Sequence, residues 1–112
     1  MSDDIKKKID VVFIAGGKFH DIDFARLEIL KLLAEDDRMK TRVFEDYSNL
    51  HAIENADFLI TYTCDVRPTL EQQKALKKYV ASGKRWLALH GTNSILQFMS
   101  DGKVDSPRIA PI

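Results

Sequence analysis

Cysteine is almost absent from this chain. Cys64 stands alone among 112 residues, so no internal disulfide can form, and the composition fits a reducing, cytoplasmic compartment. An excess of charge of one sign is missing as well. Seventeen basic and 17 acidic side chains give a formal net charge of +0, without the basic surplus that a nucleic-acid-binding surface requires. No apolar run is long enough to span a bilayer. The N-terminal stretch Met1-Ser2-Asp3-Asp4-Ile5-Lys6-Lys7-Lys8 carries charge but no apolar segment before a small-residue cleavage site, so it is not a signal peptide. Internal repeats and low-complexity linkers are lacking too. What is present is an ordinary globular balance, 45% hydrophobic and 30% charged. The length suits one domain over residues 1–112, with a polar tail over 1–8. Two independent cores would not fit.

The hydrophobic pattern alternates strand and helix. Ile9-Asp10-Val11-Val12-Phe13-Ile14-Ala15 is nearly continuous in apolar, partly β-branched residues and stops at Gly16-Gly17, as a central strand covered on both faces does. Apolar residues then recur at helical spacing from Ile22 to Glu35, behind Asp21 or Asp23 as the cap. Thr41 to Glu45 is shorter and more polar, as befits a strand nearer an edge. Asn49 to Asn55 reads as a turn or short helix, and Phe58 to Thr63 as a second buried strand. Thr69 and Gln72 have the spacing of a capping box, opening a helix that stops at Gly83. Arg85 to His90 reads as a fourth strand, followed by Gly91-Thr92-Asn93-Ser94 and an amphipathic turn from Ile95 to Met99.

This order implies right-handed crossovers and a parallel sheet. The expected fold class is α/β, a flavodoxin-like three-layer sandwich with strand order 2-1-3-4, its ligands bound at the carboxyl ends of the first and third strands. The fourth strand is apolar on both faces, yet residues 100–112 hold two prolines and no strand pattern to pair with it. The expectation is therefore an irregular tail and an open edge, completed either by further chain or by a partner. Self-association into a homo-oligomer follows from the same edge.

Fold alone does not settle function, so the loops must. The loop after the first strand reads Ala15-Gly16-Gly17-Lys18-Phe19-His20, which is neither the dinucleotide fingerprint nor a Walker phosphate loop. The turn Leu89-His90-Gly91-Thr92-Asn93 lacks the cysteine of a class I glutamine amidotransferase, which argues against thiol amidotransfer. A flavin role is weakened by the absence of a hydroxyl-rich loop after the first strand.

Several stretches together resemble the ThuA-like family, named for trehalose utilisation and related in fold to the class I amidotransferases. They are Phe13-Ile14-Ala15-Gly16-Gly17 with His20-Asp21, Glu45-Asp46, Ala56-Asp57-Phe58-Leu59-Ile60, Leu70-Glu71-Gln72-Gln73, Tyr79-Val80-Ala81-Ser82-Gly83-Lys84 and Leu87-Ala88-Leu89-His90-Gly91. The resemblance covers about residues 9 to 95 in order and spacing. Family members are roughly twice this length. It implies a role in carbohydrate metabolism, acting on trehalose or related disaccharides and their keto forms.

The candidate catalytic residues are His20, His90 and Asp65, on loops at the carboxyl end of the sheet. Neutral imidazole accepts a proton or binds a metal near neutrality, so two histidines and a carboxylate suit acid–base chemistry or a divalent ion such as zinc. His20 reads equally as a capping residue, and His90 as a hydrogen-bonded structural one. Gly16, Gly17 and Gly91 allow close backbone approach, by a ligand or by a mere turn. Arg67 could hold an anionic or polyhydroxyl ligand or be solvated, and Thr92 and Asn93 could bond sugar hydroxyls or cap a helix. Cys64 reads as a small buried hydrophobe. Two functions stay open: an enzyme acting on a small sugar, and a non-catalytic binding or assembly module on the same fold.

Overall fold

The computed structural model describes residues 7–92, 97–98 and 104–105. Four parallel strands form one sheet in the order β2-β1-β3-β4. Strand β1 (Ile9–Gly17) is central, with β2 (Met39–Phe44) on one side and β3 (Phe58–Cys64) on the other, and β4 (Arg85–Ala88) beyond β3. The unbroken apolar run of β1 has its reason here, since residues 11–16 are buried and both faces are covered. Val11, Phe13 and Ala15 face helix α1 (Ile22–Leu33) and meet Ile22, Ile29, Leu30 and Leu33. Val12 and Ile14 point the other way, where α2 (Leu50–Asn55) and α3 (Leu70–Ala81) cover them with Ala52, Ile53, Leu76 and Tyr79. The result is a three-layer α/β domain of flavodoxin-like topology, in which the loops after β1 and β3 diverge at one end of the sheet.

Local chemistry sets the helix ends. Asp21 rather than Asp23 caps α1, accepting from the Phe24 amide at 3.0 Å. Asn49 caps α2 through the Ala52 amide at 3.0 Å. At α3 the capping box is complete: Thr69 Oγ1 accepts from the Gln72 amide at 3.1 Å, and Gln72 Oε1 accepts from the Thr69 amide at 2.9 Å.

Two sequence expectations need correction. Strand β4 ends at Ala88, not His90, because the Leu89 amide makes a last bond to the Thr61 carbonyl and the chain then turns, with the Thr92 amide returning to the Leu89 carbonyl. The C-terminal stretch is also not devoid of strands. Gln97–Phe98 (β5) pairs antiparallel with Val104–Asp105 (β6) as a separate two-residue ladder, too short to leave a periodic signature. Gln97 and Phe98 thus replace part of the turn expected over 95–99; Ile95, Leu96 and Met99 lie outside the described residues. Among the described residues β4 pairs with β3 alone, and Leu87 on it is 48% exposed. No helix among them is long and apolar enough to cross a membrane.

Candidate functional site

The loop after β1 turns sharply before α1. Gly17 has φ +108°, and its Cα faces the Cys64 backbone so closely that a Cβ there would collide with the carbonyl. Phe19 follows at φ 69°, an uncommon conformation for a bulky residue, and the Ile22 amide bonds the His20 carbonyl at 2.9 Å. These constraints lay the His20 ring back over the sheet. It packs edge-on to Tyr62 of β3, with centroids 6.1 Å apart, and edge-on to His90, with centroids 5.0 Å apart. Two histidines seventy positions apart in the chain therefore share one spot at the carboxyl end of the sheet, His20 half-buried and His90 exposed.

Four polar groups hold the His90 turn from beneath. Trp86 Nε1 donates to Thr61 Oγ1 at 3.0 Å, Thr61 and Thr92 share a hydroxyl–hydroxyl bond of 2.9 Å, and Thr92 Oγ1 donates to the Leu89 carbonyl at 2.8 Å. Gly91 sits in this turn at φ +87°, where a Cβ would run into the Thr63 carbonyl and approach the His20 ring edge at 3.5 Å. A glycine is required twice over, for its backbone angle and for its lack of bulk.

Beside His20, between the ends of β1 and β2, lies a polar cleft of about 380 Å³, a volume that suits a small ligand. Gly16, Gly17, Asp21, Asp23, Arg26 and Glu45 line it with His20. Arg26 was not legible as a site residue. It occupies an inward position on the otherwise apolar stripe Ile22, Ile29, Leu30 and Leu33, and that break in the stripe is the signal that could have found it. Its Nη2 pairs with Asp23 at 3.1 Å, while its Nε is buried with no hydrogen-bond partner among the described residues.

The remaining sequence candidates divide. Gly16 and Gly17 line the cleft, yet both also permit neighbouring strand ends to close in, Glu45 on one side and Cys64 on the other. Asp65 leaves β3 at φ 61° and pairs with Lys18 at 3.5 Å. The described residues contain no group of three His, Cys, Asp or Glu side chains able to hold a metal ion. The zinc-type centre expected from His20, His90 and Asp65 is therefore not assembled. Thr92 is corrected as well: it is buried, and its hydroxyl is spent on Thr61 and Leu89 rather than offered to a ligand. Arg67 is exposed, outside the cleft lining. Asn93 lies outside the described residues. Cys64 is buried, and burial together with the neighbouring Asp65 charge raises its thiol pKa, the reverse of nucleophile activation.

Fold and site define an α/β domain of flavodoxin-like topology with a histidine pair at the carboxyl end of its sheet. No protein-family model, no curated protein and no solved structure matches the chain.

Proposed function

We propose that this domain binds a small polyhydroxyl compound of the carbohydrate class at the carboxyl end of its sheet and acts on it by proton transfer, with His20 and His90 as the acid–base pair. One observation carries the reading: the His20 imidazole lines a polar cleft and meets the His90 ring edge-on, with centroids 5.0 Å apart. Imidazole is the side chain best suited to giving and taking a proton near neutrality. The cleft sets an acceptor, Glu45, and a donor, Arg26, where sugar hydroxyls can use both. The resemblance to ThuA-like proteins supports the same substrate class. The lone thiol, buried and reduced, suits the cytoplasm.

A second reading is a binding module without chemistry. It is favoured by the pairing of Asp65 with Lys18 at 3.5 Å, which engages the carboxylate expected beside the histidines.

The test is a titration of the histidine ring resonances by NMR with a panel of mono- and disaccharides and their keto forms, repeated on His20→Ala and His90→Ala. The proposal expects one class of sugar to shift both histidines and each variant to lose binding by roughly tenfold or more. If no sugar moves either ring, or if both folded variants bind as the parent does, the site assignment is wrong. Binding without turnover would leave the module reading standing and remove the enzyme.

A further inference from the structure

Among the described residues, two apolar surfaces away from the histidine site lie on opposite faces of the sheet. On the outer side of α1, Phe24, Leu27 and Leu32 are 62%, 52% and 65% exposed, a convex apolar stripe interrupted by the Glu28–Lys31 ion pair. Between α3 and β4 runs a concave groove of about 720 Å³, floored by Leu70, Leu76, Val80 and Trp86, with Lys74 and Lys77 on its rim and no carboxylate among the described residues that line it. Leu70 and Val80 there are themselves exposed. Exposed apolar patches rimmed by polar groups mark association surfaces.

Charge divides along the same line. Residues 21–38, which include α1, hold six carboxylates against three basic groups, a net of −3. Asp23, Glu28 and Asp36 pair internally with Arg26, Lys31 and Arg38, so the surplus is carried by the rest. Residues 67–86, which include α3 and β4, hold six basic groups against Glu71 alone, a net of +5. Pairing two grooves across a two-fold axis would set these basic surfaces against each other, which like-charge repulsion opposes. Setting the stripe against the groove joins convex to concave and negative to positive. A chain cannot do this with itself, because α1 and α3 cover opposite faces of its own sheet.

We infer that the partner for the groove is a second copy of this chain, seated by its α1 stripe, so that association is head-to-tail. Such a contact is heterologous, uses both surfaces of every molecule, and extends into a ring or a filament. The overall net charge of +0 opposes nothing at long range.

The experiment uses sedimentation velocity of the full chain over a concentration series. Wild type forms species beyond the dimer, and these fall back as salt is raised. Leu27→Lys spoils the stripe and Val80→Lys spoils the groove; both positions are about half exposed, so each variant keeps the wild-type circular dichroism spectrum. Each variant alone sediments as a monomer. Mixed in equal amounts, they form a heterodimer that grows no further, since only one intact stripe and one intact groove remain. Lys74→Glu with Lys77→Glu, which changes charge alone, weakens wild-type association by roughly tenfold or more. A wild type that stays monomeric overturns the inference. So does a loss of association from one variant but not the other, which would indicate groove-to-groove or stripe-to-stripe pairing, and so does a mixture that yields no heterodimer.

Discussion

Removing one hydroxyl at Thr61 tests whether the buried polar chain under the His90 turn holds the site together. Thr61 is fully buried, its Oγ1 accepting from Trp86 Nε1 at 3.0 Å and bonded to Thr92 Oγ1 at 2.9 Å. Valine is nearly isosteric, so Thr61→Val leaves little cavity and mainly deletes these two bonds. The indole N–H loses its acceptor within a half-buried setting, at about 1–2 kcal/mol, and the Thr61–Thr92 bond contributes about 1 kcal/mol more. The added methyl returns a few tenths of this by apolar burial. The expected net loss is about 2 kcal/mol, or a fall in Tm of roughly 8 °C for a domain of this size. Urea unfolding followed by far-ultraviolet dichroism measures the loss. Fluorescence of the sole tryptophan, Trp86, reports the same bond locally. Thr92→Val removes the same hydroxyl pair from its other end, so the double variant should cost less than the sum of the two, by about 1 kcal/mol. The turn should also loosen, with contacts between the His20 and His90 rings weakening in NMR spectra. The reasoning fails if Thr61→Val lies within about 0.5 kcal/mol of the parent, or if the two substitutions are additive.

Stability should decline in alkali. Burial pushes the Tyr47 phenol from its ordinary value of 10 up to about 12, partly offset by the nearby Thr63 and Thr61 hydroxyls, neither of which meets hydrogen-bond geometry with it. Tyr79, which donates to the Ala56 carbonyl at 3.1 Å, is likewise raised to about 12 by burial and by the charge of Asp57. The unfolded chain ionises these phenols first, so it binds fewer protons between the two values, and stability present below pH 10 is lost as pH rises toward 12. The urea midpoint at about pH 11 should fall below that at about pH 8, and a flat profile would refute the burial argument. Gly91→Ala meets both a left-handed backbone and the Thr63 carbonyl, and should cost more than about 2 kcal/mol while parting the two histidines. An alanine variant with parental stability and an unchanged His20–His90 contact would show that the turn tolerates a Cβ.

Much of the architecture was legible in the chain because it is written in local periodicity. The apolar run at 9–15 cannot alternate, since β1 is covered on both faces, and the Thr69–Gln72 spacing suffices for a capping box because the bonds that satisfy it are three residues apart. The parallel sheet followed from connections of helix length and fixed hand, and the order 2-1-3-4 from the flavodoxin-like arrangement. The site was legible only to the extent that topology places loop residues at one end, which put His20 and His90 near each other. Tertiary structure alone decided the rest. Whether Thr92 offers its hydroxyl or spends it depends on Thr61, thirty-one residues away, and no local pattern encodes that partner. Asp65 turns to Lys18 because both loops leave the sheet through left-handed backbone conformations, which side-chain chemistry does not announce. Arg26 belongs to the cleft because its inward side faces the gap past the end of β1 rather than core, a distinction drawn by where the strand stops. The charge separation between α1 and α3 is present in the composition of each segment, but it becomes two opposed surfaces only when the sheet sets those helices on opposite faces.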